Sequence, residues 1–304
     1  MSRIALIEVW AKLLRQMSEL LYQEEPDGQW LPQFESATSE LMAAFHEDPD
    51  TALYLSLQNA SGRLEHYSAH HAMLCAQICD LCAAYFEWNA EEHDALVRAA
   101  LTMNCAMSTL QDKLVLQPTS LTEDQREEIG SHGERSAKFL RSAGVTDERW
   151  LSVVGSHHHT PDCEEAAPGS AQQLAQLLHR VDVFTAKLSI RATRTPTTPA
   201  VAAREACLDK RGLPDAVGAT ILRVLGLYPP GCFVLLANGD SGVVVRRGNK
   251  AHVPLVAALR RADGGMYMQP AIRDTAAEEF AVVRGVAMNA AKVRLDHERI
   301  LGAI

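Results

Sequence analysis

The sequence predicts a mostly helical chain with a small β-rich region at its C-terminal end, and three observations support this. Apolar residues recur at helical spacing through most of the first 190 positions. Capping and turn signals punctuate that stretch. Runs of β-type residues gather only after Tyr228-Pro229-Pro230-Gly231. With 304 residues, 47% of them hydrophobic, the chain can bury a sizeable core.

The elements follow in order. Residues 3 to about 24 read as one helix, with Ile4, Ile7, Leu13, Leu14, Met17, Leu20 and Leu21 near helical spacing. Pro26-Asp27-Gly28 is a turn. A second helix is expected over about 34–46, and a third from near Asp48, capped by Asp50 or Thr51. A long apolar helix over about 62–87 carries His66, His70 and His71, and another covers 90–109. Thr122-Glu123-Asp124-Gln125 fits a capping box after the connector at Pro118. A helix over 147–158 ends on His157-His158-His159, and one over 171–190 carries His179 and Asp182. Residues 160–170 and 194–199 read as loops. Phe233-Val234-Leu235-Leu236, Asn238-Gly239 and Val243-Val244-Val245 form a hairpin signature, with Asn-Gly supplying positive φ angles. Further strands are expected near 252–258 and 280–284. The division implied is 1–60 (N-terminal helical region), 61–228 (central helical domain) and 229–304 (β-rich region).

Composition narrows the function classes. A net charge of −9 disfavours broad electrostatic binding to nucleic acid, but it allows a local basic pocket for a small phosphorylated ligand. No run reaches the roughly 18 apolar residues of a membrane helix. Met1 to Gln16 contains Glu8, Lys12 and Arg15, so it reads as an amphipathic helix and not a signal peptide. Seven cysteines without scaffold spacing suit free thiols and a cytoplasmic location.

Twelve histidines offer the main chemical signal. His70, His132, Asp182 and the adjacent pair His157-His158 fall on four predicted helices. Imidazoles and a carboxylate brought together from several helices are what a zinc, iron or manganese site in a bundle uses. The competing reading is a set of buried, hydrogen-bonded histidines without metal.

The order of these blocks resembles the HD-GYP family of metal-dependent phosphohydrolases, over about 62–250. Tyr67 and His70 stand at the family's early His. Ala99 to Met107 stands at its AALLHDIGK block, Gln117 to Thr122 at KPGKLT, and His132 follows. His157-His158-His159 stands at HHE, Asp182 to Ala186 at DxFxA, and Arg191-Ala192-Thr193-Arg194 at RPYR. The resemblance implies an HD-type helical bundle, a metal site and cyclic di-GMP hydrolysis. It also implies ligand contacts from Arg191 and Arg194.

The departures bear on that activity. Met103-Asn104 replaces the His-Asp pair whose Asp bridges two metals in the family. Asparagine is neutral and methionine suits soft metals, so the anion that lets two cations sit close together is gone. Met107 replaces the Lys of that block, His159 the Glu of HHE, and the GYP loop has no counterpart in 160–167. The expected cofactor is therefore none, or one divalent transition ion (Fe, Mn or Zn).

Two functions stay open: a non-catalytic signalling or scaffold protein, or a phosphohydrolase with a reduced single-metal site. Expected partners are other signalling proteins or a cyclic dinucleotide, with no nucleic acid and no membrane insertion. A homo-oligomer is compatible with the sequence.

Cys75, Cys79 and Cys82 fit the C-x3-C-x2-C spacing of radical S-adenosylmethionine enzymes. The stretch continues a strong helical pattern, so a buried structural role is expected instead. The pairs Arg246-Arg247 and Arg260-Arg261 read as a solvated face.

Overall fold

Helices α1 (Arg3–Leu21), α2 (Trp30–Glu47) and α3 (Pro49–Gly62) open the chain in the computed structural model. The structure describes residues 1–62, 65–158, 166–189, 197–208, 212, 214–287 and 295–304. Ser2 caps α1 by accepting from the Ala5 amide, and Leu6, Trp10, Leu13, Met17 and Leu20 form its buried stripe. α2 starts earlier than its spacing predicts. Trp30 is fully buried, and its indole donates to the Leu20 carbonyl at 2.9 Å, which closes the α1–α2 corner. The cap of α3 is Asp48, not Asp50 or Thr51. The Asp48 carboxylate accepts from the Thr51 amide at 3.1 Å and from its hydroxyl at 2.9 Å.

The fourth helix, α4 (Tyr67–Tyr85), is shorter than the expected 62–87. His66 precedes it with φ 53°, a left-handed backbone that starts the helix afresh. Nearly every position of α4 is buried, so it is the central rod around which the others pack.

The helix expected over 90–109 is interrupted. α5 (Ala90–Thr102) has the capping box Asn89/Glu92 and stops at Met103. Asn104 leaves helical geometry at φ −110°, ψ 7°. A tight turn over Cys105–Met107 leads into α6 (Ser108–Leu116). No Pro or Gly marks this break. The Ala106 amide donates to the Ser136 hydroxyl, thirty positions on in the helix over Glu123–Ser142, so a tertiary contact satisfies a donor there.

α7 (Glu123–Ser142) carries the capping box Thr122/Gln125, both halves formed. α8 (Glu148–Ser156) begins at Asp147, whose side chain accepts from the Arg149 and Trp150 amides. α9 (Ala171–Leu188) begins at Ser170. No expected element covers α10 (Pro199–Cys207) or α11 (Ala216–Leu225), which pack beside α9 and α4.

The C-terminal region is an antiparallel sheet of β1 (Phe233–Leu236), β2 (Ser241–Arg246), β3 (Leu255–Arg260), β4 (Met266–Asp274) and β5 (Val282–Val286), in the order β4-β3-β2-β1-β5. β4 and the closing helix α12 (His297–Leu301) carried no sequence expectation. In the β1–β2 turn only Gly239 has positive φ (85°), and Asn238 does not. The Gly239 amide donates to Leu236, and the Leu236 amide donates to Asp240. This is the three-residue loop with a left-handed glycine, not the two-residue Asn-Gly turn.

One apolar core runs continuously from Leu6 in α1 to Leu301 in α12. Phe233, Val243 and Ala257 face it from the sheet, while Val234, Val244 and Val256 form a smaller cluster on the sheet's other side. The helices and the sheet are also tied by polar contacts. Gln58 donates to the Gly231 carbonyl, and the Tyr54 hydroxyl lies 3.0 Å from His297 Nδ1.

Candidate metal centre

Four helices deliver the titratable groups. α7 supplies His132, and the C-terminal end of α8 supplies His157 and His158. α9 supplies His179 and Asp182, three residues apart and so on one face, and α4 supplies His71. α8 reaches α7 closely because position 133 is glycine. A Cβ there would lie 3.0 Å from the Val154 carbonyl oxygen and 3.5 Å from His157 Cε1.

One ligand atom each from His132, His157 and His158 lie within 4.8 Å of one another. His132 and His157 are buried, while His158 is exposed at the rim. The His132 Nδ1 is 2.5 Å from the Ile129 carbonyl oxygen, and the His157 Nδ1 is 2.7 Å from that of Val154. A carbonyl only accepts, so both Nδ1 atoms must carry the proton. Each Nε2 is then a lone pair in the neutral ring, and the two Nε2 atoms face one another at 3.2 Å. Two lone pairs at that distance repel unless a cation lies against them. Burial, then the neighbouring His158 and His132, push the His157 pKa down to about 3, so a proton is disfavoured in that role. A divalent metal ion fits the donor set. Nδ1 pinned to a carbonyl with Nε2 presented inward is the usual arrangement of a ligating histidine. Three imidazoles suit zinc or iron chemistry.

Asp182 stands beside this group. Its Oδ2 lies 3.9 Å from His158 Nε2, and its Oδ1 accepts from His71 Nε2 at 2.7 Å. Burial alone would raise this carboxyl. The His71 hydrogen bond and the fields of His71, His157 and His158 outweigh it and hold the pKa well below the ordinary range. Burial opposes charge on His71, yet Cys75, Tyr67 and Asp182 together carry its pKa well above the ordinary value. The two shifts both favour the charged forms of this buried hydrogen-bonded pair. Thr185 Oγ1 lies 3.5 Å from His71 Nδ1 and 3.2 Å from Cys75 Sγ, which fixes the ring further.

The α4 histidine that donates to Asp182 is His71, the neighbour of the His70 that the sequence reading names as a candidate metal ligand. Adjacent helical residues point about 100° apart. Two consecutive histidines give no register from which to choose, and only packing against α9 decides it. His70 is buried on the same helix and lies outside the three-histidine group. His179, whose ring centroid is 5.3 Å from that of His158, was also missed as a site residue. Its spacing of three from Asp182 is the signal that would have found it.

Met103 and Asn104 are both buried, at the break after α5, and Met107 closes the turn that follows. His159, Arg191 and Arg194 lie outside the described residues. Cys75, Cys79 and Cys82 are fully buried along α4. Burial pushes the Cys79 and Cys82 thiols well up, away from the thiolate that a metal needs.

This arrangement of histidines beside a buried Asp, inside a helical bundle, invites comparison with metal-dependent phosphodiesterases of cyclic dinucleotides. The chain is 24% identical over 220 residues to a cyclic di-GMP phosphodiesterase of Pseudomonas aeruginosa. That match takes in 70% of this chain and 51% of the relative, so the chain spans about half the length of the curated protein it matches. No family model matches the chain, and no solved structure matches it. The similarity hints at the HD-GYP family. No helix among the described residues is long and apolar enough to cross a membrane.

Proposed function

We propose that this chain is a degenerate HD-GYP-like protein of a cyclic di-GMP-related pathway, built on an HD-type helical bundle. It acts as a signalling or scaffold protein and not as a two-metal phosphodiesterase. His132, His157 and His158 hold one divalent transition metal ion, with Asp182 adjacent. The observation that carries the reading is the pair of inward Nε2 atoms at 3.2 Å, each with its Nδ1 fixed by a carbonyl. Asn104, at the family's bridging position, brings no anion for a second ion, and Met103 brings no imidazole. The ligand class is a cyclic dinucleotide, with Arg191 and Arg194 as its candidate contacts. The partners are other signalling proteins or a second copy of the chain.

Metal analysis of protein purified without chelator tests this reading. It should give at most one transition metal per chain, lost in His157→Ala. Cyclic di-GMP should survive prolonged incubation with the protein and added manganese or iron. Two ions per chain, or turnover abolished by His157→Ala, would sink the proposal. Met103→His with Asn104→Asp should raise metal occupancy. If occupancy does not change while the fold survives, Asn104 is not at the bridging position.

A second reading, a phosphohydrolase with a reduced single-metal site, is favoured by the acceptor geometry. Three nitrogen donors leave a coordination position open, and Asp182 Oδ2 stands 3.9 Å from His158 Nε2 beside the group. Turnover with one bound ion per chain would favour this reading over the first.

A further inference from the structure

The β2–β3 connection, at the far end of the chain from the histidine cluster, has a built basic wall. Its sequence is Arg246-Arg247-Gly248-Asn249-Lys250-Ala251-His252. Sequence alone suggested a solvated face, and the structure corrects this for the first pair. Arg247 is fastened inward: its Nε donates to Asp50 on α3 at 2.5 Å, and an NH1 proton goes to the Val224 carbonyl at 2.8 Å. The Ala251 carbonyl accepts from the Leu227 amide at 2.7 Å, and the Lys250 carbonyl accepts from the Val253 amide. Position 248 admits only glycine, because a Cβ would fall 1.7 Å from the Val253 carbonyl oxygen. The loop is therefore tied to α3 and α11 through Arg247 and to Leu227 just after α11, with a further bond inside the loop. Arg260 and Arg261 are exposed, as a solvated face requires.

Arg246 differs from its neighbour. Its side chain is half-buried and has no hydrogen-bond or ion-pair partner among the described residues. Its nitrogens are not among the buried atoms left without a partner, so the guanidinium is accessible to an anion from the cavity side. Arg246 lines a cavity of about 750 Å³ together with Lys250, His252 and Tyr228, and Asp274 and Glu278 stand among its other walls. This volume is in the range of small-molecule sites. The basic wall is a local departure in a chain of net charge −9.

We propose that this cavity binds a nucleoside monophosphate: Arg246, Lys250 and His252 receive the phosphate, and Tyr228 provides an aromatic face for the base. A guanidinium fork matches phosphate oxygens bidentately, and an ammonium and an imidazole N–H add further donors. Asp274 and Glu278 disfavour longer polyphosphates and offer acceptors for base N–H groups. This site is separate from the histidine centre and does not depend on the function proposed for it.

The test is a calorimetric titration of the full chain in excess EDTA, so that no metal at the histidines contributes. The probes are GMP and inorganic phosphate. GMP should bind saturably and more tightly than phosphate. Arg246→Ala should weaken it roughly tenfold or more, and Arg246→Lys should weaken it less. His157→Ala should leave it unchanged. Absence of saturable GMP binding, or binding that survives Arg246→Ala, would overturn the site. Equal affinity for GMP and phosphate would overturn the nucleotide assignment, and loss of binding in His157→Ala would place the anion at the histidine cluster instead.

Discussion

Two groups of side chains in this protein have the chemistry to bind a metal, and their settings are opposite. Cys75, Cys79 and Cys82 have suggestive spacing but share one unbroken helix at the centre of the core. A rigid helix cannot wrap a cluster, and burial keeps the thiols protonated. His132, His157 and His158 come from two helices with nothing periodic between them, yet their ligand atoms converge within 4.8 Å and two are pinned from behind. Spacing along a chain is thus a poor guide to a metal site. Convergence together with hydrogen bonding to the outer ring nitrogen is a better one.

The contrast can be broken by exchanging readouts. His157→Ala should abolish competition with a fluorescent zinc chelator, while Cys79→Ser should leave that competition as it is. In denaturant melts the ranking should reverse. Cys79→Ser places a hydroxyl in an apolar site and should cost about 2 kcal/mol, and Cys79→Ala should cost less. Metal affinity that follows the cysteines would invert the assignment of both groups.

A smaller effect sharpens the role of packing. Gly133→Ala should push α8 away from α7, since the new Cβ meets the Val154 and Gly155 carbonyl oxygens at 3.0 and 3.2 Å. The expected outcome is a stability loss of roughly 1–2 kcal/mol with weaker zinc binding. A variant with unchanged zinc affinity would show that the helix approach does not tune the site.

The smallest effect involves a histidine pair that has nothing to do with the metal. Asp80, buried on α4, accepts from His93 Nε2 at 2.8 Å and from His46 Nε2 at 3.1 Å. The hydrogen bond to Asp80 raises the His93 pKa, against the opposing effect of burial. A raised folded-state pKa gives stability that is complete below the unfolded value of about 6.5 and is lost as pH rises through the folded value. Melts between pH 6 and 8 should therefore fall with pH by less than about 1 kcal/mol. His93→Gln should flatten that slope. An unchanged slope would assign it to another group.

Much of the helical half is legible because local physics writes it. The Thr122/Gln125 box, the stripe of α1 and the entry to α9 at Ser170 are all decided within a few residues. The break at Met103–Asn104 is not: no Pro or Gly marks it, and the Ala106 amide just after it is satisfied by Ser136, thirty positions on. β4 was missed for a related reason. It is an edge strand with mixed exposure, so it lacks the continuous apolar run that betrays β2.

The sequence by itself determined which residues could bind a metal, and that Asn104 is a neutral amide and Met103 a thioether. Residue identity decides that chemistry without any fold. Only the tertiary structure decided that His71 donates to Asp182, that two imidazoles turn their Nε2 atoms toward each other, and that Arg246 lines a cavity while Arg247 is tied to Asp50. Those outcomes depend on the rotation of one helix against another and on carbonyls that only the folded backbone brings within reach. Interactions among distant segments set both, and no local pattern encodes them.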